Sequence, residues 1–195
     1  MKVLGFVGFF GAGKGTAIQL ISELTGAPAF STSHEVAEEC ERRGLPTDRP
    51  TKVEVANDVR RKFGPGEFAR RVVEKINALP SGTKLALVDS LRTQGEIDVL
   101  REAFGGGFEL IYVEAGVKVR YERILKRHRD KGDELSFEEF VLSEEKENKP
   151  DAKPFEQNIG MVAHGADAVV LNDGQVGEMR ENLKAFLRSK GLYQE

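Results

Sequence analysis

The chain opens with a short apolar run, a glycine-rich loop and the start of an amphipathic helix. Residues 2–7 read KVLGFV, residues 8–16 read GFFGAGKGT, and apolar residues recur at helical spacing through residues 17–24. When a buried strand passes through glycines into a helix, backbone N–H groups converge on one point and the helix dipole adds positive potential there. The segment therefore predicts a phosphate-binding loop on the edge of a parallel sheet.

The same loop predicts which residues would hold the phosphates of a nucleotide. Lys14 is placed to reach the terminal phosphate. The predicted nucleotide-binding residues of the loop are Gly8, Gly11, Ala12, Gly13, Lys14, Gly15 and Thr16. One position departs from the general pattern, because Gly15 follows the lysine where Ser or Thr usually ligates Mg²⁺. The hydroxyl nearest to that position is on Thr16, which we expect near the metal.

Apolar strands alternate with helices five times along the chain. Strands are predicted at residues 2–7, 27–31, 84–89, 108–115 and 167–172. Capping-box patterns mark two helix starts, Thr32 with Glu35 and Ser136 with Glu139. The alternation predicts a three-layer α/β/α fold around a five-stranded parallel sheet.

Length and composition narrow the class of protein. The chain has 195 residues, a net charge of −3 and one cysteine, Cys40. This charge argues against a general nucleic-acid or membrane-surface binder, and a lone cysteine excludes an intrachain disulfide. No apolar stretch approaches the roughly 20 residues that span a bilayer, and the N-terminal apolar run is too short for a signal peptide. We expect one cytoplasmic domain over 1–195, and the sequence leaves its oligomeric state open.

The loop resembles that of the nucleoside monophosphate kinases, the adenylate and cytidylate kinase group. The shared arrangement is Gly-x-x-Gly-x-Gly-Lys-Gly-Thr over residues 8–16, with Phe10 where adenylate kinases usually have Pro. The resemblance implies that ATP is the phosphoryl donor and that Mg²⁺ is held largely through water and the phosphates. It also implies an acceptor-side helical region at about 32–79 and a lid region at about 127–156.

A second segment of the chain extends this resemblance. Asp89-Ser90-Leu91-Arg92 follows a predicted strand and is similar to the Asp-Gly-x-x-Arg-type segment of those kinases, with Ser90 in place of Gly and one residue fewer before Arg92. The resemblance implies that Asp89 orients Mg²⁺ through water and that Arg92 contacts the acceptor phosphate. A helix N-cap is the alternative role for Asp89.

A basic run, RYERILKRHRDK, begins at Arg120. Arg120, Arg123 and Arg127 share a helical face, and like charges stacked in this way are unfavourable unless an anion joins them. The resemblance places lid arginines here, before an acidic helix at 133–149, and implies that Arg123, Arg127 and Arg129 stabilise the transferring phosphoryl group. A solvated basic face is the alternative.

The resemblance also implies two complete sets of site residues. The catalytic set is Lys14, Arg92, Arg123, Arg127 and Arg129. The nucleotide-binding set adds Asn172 to the loop, because the turn Asn172-Asp173-Gly174 follows the last strand where the adenine pocket is commonly lined.

The acceptor side departs from the adenylate kinase pattern. Those enzymes have a Ser-Thr-Gly-Asp-x-x-Arg-type segment after the second strand, and its arginine grips the monophosphate. Here Ser33 and His34 replace Gly-Asp, and Ala37 replaces the arginine. Four arginines of the next two predicted helices either supply the missing charge or form solvated faces: Arg60, Arg61, Arg70 and Arg71.

Over nearly its whole length the chain resembles a mainly archaeal family of predicted nucleotide kinases related to AMP and CMP kinases. The shared lines are GLPT…VANDVRRKFGPGEFARRVV, VDSLRTQGEIDVLREAFG and GADAVVLNDG. The resemblance implies an ATP-dependent phosphotransferase that uses Mg²⁺ and acts on a small phosphate-bearing acceptor, a nucleoside monophosphate. A dephospho-coenzyme A or other small-metabolite kinase stays open, as does a regulatory ATPase without an acceptor.

Overall fold

A computed structural model describes residues 1–127, 135–148 and 151–194. Within these residues the chain forms five strands and nine helices. The strands are β1 (Lys2–Val7), β2 (Ala29–Ser31), β3 (Leu85–Asp89), β4 (Phe108–Glu114) and β5 (Ala168–Leu171). The helices are α1 (Lys14–Thr25), α2 (Thr32–Arg42), α3 (Arg49–Phe63), α4 (Glu67–Asn77), α5 (Gln94–Phe104), α6 (Val117–Arg127), α7 (Phe137–Glu147), α8 (Ile159–His164) and α9 (Val176–Ser189).

The five strands form one parallel sheet in the order β2-β3-β1-β4-β5. In the central strand, Gly5 lies beside Val88 of β3 and Leu110 of β4. The predicted fold class is therefore confirmed. The chain leaves β1 toward one side of the sheet and later crosses to the other side, and ligands bind at the carboxyl ends of strands at such a switch point.

Both faces of the sheet are covered by helices. Leu4 and Phe6 of β1 belong to the apolar cluster with residues of α1 and α9, while Val3 and Val7 belong to the cluster with residues of α4 and α5. Successive strand residues point to opposite faces, so a strand buried on both sides reads as a continuous apolar run. None of the described helices has the length and apolar character needed to cross a membrane.

Helices α2, α3 and α4 pack on one another around a small core of their own, which includes Val36, Cys40, Val59 and Phe68. Helix α3 begins at Arg49 because the Asp48 carboxylate accepts a hydrogen bond from the Thr51 backbone N–H at 3.0 Å and Pro50 fits the first turn. This helical layer covers the segment at about 32–79 that the sequence analysis predicts as the acceptor side.

One of the two predicted capping boxes is wrong. Ser136 and Glu139 form theirs at the start of α7, as predicted. At α2 the N-cap is Ser31, and Thr32 uses its hydroxyl elsewhere, donating to the carbonyl oxygen of Ser90 at 2.7 Å. The Thr32 hydroxyl thus makes a tertiary hydrogen bond with the residue after β3 and does not cap α2 as the local sequence predicts.

Candidate functional site

The glycine-rich loop joins the end of β1 to the first residue of α1. Gly11 and Gly13 adopt left-handed conformations, with φ of 81° and 94°. A Cβ on Gly11 would lie 2.7 Å from the carbonyl oxygen of Arg120, and a Cβ on Gly13 would overlap the side-chain amide of Asn172. Both positions therefore require glycine for backbone conformation and for space.

Lys14 is the first residue of α1 and folds back over its own loop. Its Nζ donates to the carbonyl oxygens of Gly8 at 2.7 Å and Phe9 at 3.3 Å. The cation thus stands where the N-terminus of α1 already attracts anions. By contrast, a Cβ on Gly15 meets nothing within 4 Å, so the missing hydroxyl at this position is not imposed by space.

Asp89 ends β3, next to the strand that carries the loop. Its Oδ1 accepts a hydrogen bond from the backbone N–H of Ser90 at 2.6 Å. Ser90 has a φ of 65°, which makes it the one non-glycine residue of the described chain in the left-handed region. Thr32 holds the carbonyl of the same residue, so the strand end is fixed from both sides.

A cavity of about 870 Å³ extends from the loop to helix α3. Five cationic residues line it: Lys14, Arg49, Lys52, Arg60 and Arg92. Asp48 is the one carboxylate in the described lining, and its hydrogen bonds from Thr51 lower its pKa and occupy it as the cap of α3. The described wall is therefore strongly cationic and suited to an anion.

Arg92 is placed in this cavity by its surroundings. Its Nη1 donates to Oε1 of Gln157 at 2.8 Å, and its backbone N–H donates to Oε2 of Glu96 at 2.7 Å. Glu96 also completes a capping box with Thr93 at the start of α5. Sequence reasoning missed Glu96, although the spacing Thr93-x-x-Glu96 is a capping-box signal that was available.

The four arginines predicted as sources of acceptor charge separate into two groups. Only Arg60 lines the cavity. Arg61 lies over the ring of Phe155, while Arg70 and Arg71 pair with Glu67. Of the substituted acceptor positions, Ser33 lines the cavity, whereas the exposed His34 lies beside Glu38.

Two further cations of α3 were missed by sequence reasoning. Arg49, Lys52, Ala56 and Arg60 all line the cavity, at positions i, i+3, i+7 and i+11 of the helix. This spacing keeps residues on one helical face and was readable from the sequence. The Asp48 cap starts α3 at Arg49, which puts Arg49 on the same helical face as Lys52 and Arg60.

The α6 arginines Arg120 and Arg123 contact groups of the chain itself. The guanidinium of Arg120 is buried and pairs with Glu144 of α7. Arg123 donates to the carbonyl oxygens of Asn172 at 2.7 Å and Gly174 at 2.9 Å. Arg127 is the last residue of α6, and its side chain lies outside the described residues, as does Arg129 entirely. The catalytic roles of these arginines stay predictions.

Asn172 ties the loop to the last strand. Its side chain is 6% exposed, and its Nδ2 donates to the carbonyl oxygen of Ala12 at 2.7 Å. Through Arg123 it also connects the loop to α6. The predicted nucleotide-binding role of Asn172 stays a prediction, and its observed contact is with the loop backbone.

The two predicted metal groups are oxygen donors, the kind of ligand that Mg²⁺ prefers. Asp89 ends β3 and Thr16 lies in the first turn of α1, and neither is among the described residues that line the cavity. No group of three or more His, Cys, Asp or Glu side chains that could hold a metal ion occurs among residues 1–127, 135–148 and 151–194. The role of Asp89 and Thr16 at Mg²⁺ stays a prediction.

Comparisons with known proteins agree with this geometry. A family model described as an AAA domain matches residues 7–140. A UPF0200 protein of Methanosarcina mazei is 37% identical over 130 residues, covering 66% of this chain and 67% of that protein. A UPF0200/UPF0201 protein of Archaeoglobus fulgidus is 33% identical over 187 residues, covering 96% of this chain but 55% of that protein, so the chain spans about half of that relative.

Solved structures with the same fold include P-loop kinases. TT1252 from Thermus thermophilus has a TM-score of 0.61 at 20% identity, covering 96% of this chain and 97% of that one. A gluconokinase from Sinorhizobium meliloti has a TM-score of 0.58 at 15% identity, covering 97% and 93%. A shikimate kinase from Acinetobacter baumannii, in complex with shikimate, has a TM-score of 0.52 at 20% identity, covering 97% and 95%.

Proposed function

This chain belongs to the UPF0200 family and to the AAA-domain family, and we propose that it is an ATP-dependent phosphotransferase whose acceptor is a nucleoside monophosphate. The observation that carries the proposal is the single cavity that joins the phosphate loop to a cationic wall. A donor site and an anion site within one cavity are what direct phosphoryl transfer requires.

On the donor side, the loop and its lysine would hold the β- and γ-phosphates of ATP. Lys14 would exchange the carbonyl oxygens of Gly8 and Phe9 for phosphate oxygens as the nucleotide binds. Asp89, with Thr16, would hold Mg²⁺ through water, and Mg²⁺ would supply neutralisation of the charge on the phosphates. The rigid attachment of the loop to Asn172 keeps its N–H groups oriented before the nucleotide arrives.

On the acceptor side, cations and amides would orient the second substrate. Arg92 and the cationic face of α3 suit a phosphate, while the side-chain amides of Asn57 and Gln157 line the same cavity. An amide offers a donor and an acceptor together, which suits the edge of a nucleobase. Arg127 and Arg129 would complete the charge around the transferring group when the lid region closes.

The test is ATP consumption by the purified protein with a panel of acceptors. ADP release is measured with Mg·ATP alone and then with AMP, CMP, GMP and UMP, each at millimolar concentration. Strong stimulation by one monophosphate is the expected result. Stimulation by dephospho-coenzyme A, gluconate or shikimate, with none by the monophosphates, would assign the protein to another class of acceptor. Slow hydrolysis that no acceptor stimulates would support a regulatory ATPase and contradict the proposal.

A further inference from the structure

One buried carboxylate holds two of the arginines that line the cavity. Glu96 is 0% exposed. Its Oε1 accepts a hydrogen bond from Nη2 of Arg60 at 2.8 Å. Its Oε2 accepts from the backbone N–H groups of Arg92 at 2.7 Å and Thr93 at 3.2 Å. The side chain of an α3 residue and the backbone that carries Arg92 are therefore fixed by the same group.

We propose that Arg60 binds the anionic group of the acceptor, together with Arg92, and that Glu96 is the positioning residue for both. The inference rests on the proposed function and identifies the residue that supplies the charge missing at Ala37. It also gives α3, rather than α2, the anion-binding role on the acceptor side.

The state of Arg60 supports a binding role. Its side chain lines the cavity, yet Arg60 is only 4% exposed, and its Nε has no hydrogen-bond partner among the described residues. Its guanidinium carbon lies 5.6 Å from the ring centroid of Phe68. A buried charge that served only to join α3 to α5 could be replaced by apolar packing at little or no loss of stability. A desolvated guanidinium on a cationic cavity is instead what tight binding of a phosphate uses.

Both oxygens of the Glu96 carboxylate are occupied within the protein. Three N–H donors already engage its two oxygens, and it is shielded from solvent. Its role is to hold the guanidinium of Arg60 in one orientation, so that less conformational entropy is lost when an anion binds. A planar guanidinium fixed on one edge still offers donors on its others.

The test measures anion binding while the phosphate loop is filled. With saturating Mg²⁺ and a non-hydrolysable ATP analogue present, AMP, CMP and inorganic phosphate are each titrated by calorimetry. Arg60→Met is expected to weaken binding of the tightest probe by roughly 10- to 100-fold, the effect of losing a hydrogen-bonded charge. Arg60→Lys should give an intermediate loss. Lys62→Met, which removes a cation from the exposed face of the same helix, should leave binding unchanged.

A further variant separates binding from folding. Arg60→Met leaves Glu96 buried without its partner, which is strongly destabilising. The double variant Arg60→Met/Glu96→Gln removes that charge while a carbonyl oxygen stays available to the N–H groups of Arg92 and Thr93. Melting curves verify that it is folded, and the same loss of anion binding is expected. Glu96→Gln alone should raise the acceptor KM while the ATP KM is unchanged, whereas a purely structural role would change both.

The outcomes for this inference and for the proposed function can be told apart. Wild-type protein that binds none of the three probes, or a folded Arg60→Met variant that binds as tightly as wild type, would overturn the inference. Binding that depends on Arg60, without acceptor-stimulated ATP consumption, would retain the inference and remove the proposed function. Acceptor-stimulated ATP consumption that persists in the Arg60→Met variant would retain the proposed function and overturn the inference.

Discussion

The proposed donor side of the cavity is formed by backbone groups, whereas the proposed acceptor side is formed by charged side chains. On the donor side, backbone groups of a short contiguous loop are held by glycine conformations and by the Asn172 amide. On the acceptor side, charged side chains from distant segments hold one another, as in the pairs Arg60–Glu96 and Lys75–Glu35. A backbone site is specified by local sequence, whereas a side-chain site exists only once the helices have packed.

The same contrast should appear in the effects of mutation. Changes on the donor side should affect turnover with little change in stability, because the loop carries chemistry and few ion pairs. Changes on the acceptor side should affect stability and acceptor binding together. The following predictions test this division, from the largest expected effect to the smallest.

Removing the loop lysine should have the largest effect. Lys14→Ala should lower turnover by roughly 10²- to 10³-fold, as expected when a charge that acts mainly in the transition state is lost. Steady-state ADP release measures this, and melting curves should shift little. Lys84→Ala is the matched control, because Lys84 is exposed at the opposite edge of the sheet. Equal turnover of the Lys14→Ala variant and wild type would contradict the donor assignment.

Glu39 should dominate the acid stability of the acceptor-side helices. It is buried, and hydrogen bonds from Arg42, Arg43 and Arg71 lower its pKa from 4.5 to about 2. The stabilisation is complete above pH 4.5 and is lost as the pH falls through about 2. The shift corresponds to about 3 kcal/mol at most. Since Arg42 is 71% exposed, solvent screening reduces this, and Glu39→Gln should cost about 1–2 kcal/mol at pH 7.

Urea denaturation at pH 7 and pH 3 measures this effect. The difference in unfolding free energy between wild type and Glu39→Gln should shrink at the lower pH, because the Glu39 carboxyl of the unfolded chain, with its ordinary pKa of 4.5, is protonated at pH 3 and unfolding then takes up a proton. Glu41→Gln, at an exposed position of the same helix, should follow wild type at both values. A constant difference between wild type and Glu39→Gln would show that the carboxylate charge is not what stabilises the network.

Ser90 lies between the two sides and should give a gain in stability. Its left-handed φ of 65° costs an L-residue roughly 1 kcal/mol, and glycine avoids this cost. The contacts with Asp89 and Thr32 are made by backbone groups and survive in Ser90→Gly. The free energy of unfolding from urea denaturation should rise by up to about 1 kcal/mol. Ser81→Gly, in an exposed turn with an ordinary φ, should lower it slightly. A less stable Ser90→Gly variant would mean that the serine hydroxyl makes a contact worth more than the strain.

The change with the smallest expected effect is at Gly15, and Gly13 in the same loop is its contrasting position. Gly15→Ser should fold with a change in stability below about 1 kcal/mol, because a Cβ there meets open space. It would also restore the hydroxyl beside Lys14, so the Mg²⁺ dependence of ATP consumption should shift by a few fold. Gly13→Ser should lose nucleotide binding, because the Asn172 amide occupies the space. Equal nucleotide binding by the Gly15→Ser and Gly13→Ser variants would contradict the difference in space around the two glycines.

The fold and the position of the glycine-rich loop could be predicted from sequence because their signals are local. Five apolar runs indicated five strands, and the loop of residues 8–16 lies at the predicted strand-to-helix junction. The acceptor site could not be predicted in the same way. Helical spacing separates the face of Arg60 from that of Arg61, but the ion pair of Arg60 with Glu96, 36 residues later, forms only when the helices meet.

The α6 arginines illustrate the same limit. Their spacing predicts a shared face on which like charges need an anion. For Arg120 the anion is Glu144 of the chain itself, a partner that the spacing of the basic residues could not reveal.

The hydrogen bond between Asn172 and Ala12 has a consequence for folding during synthesis. The loop is synthesised well before Arg120 and Asn172, the residues whose groups pack against Gly11 and Gly13. The loop can therefore take its final contacts only after Asn172 has been synthesised. A nascent chain that ends before Asn172 holds the entire motif and lacks the contact that gives it shape.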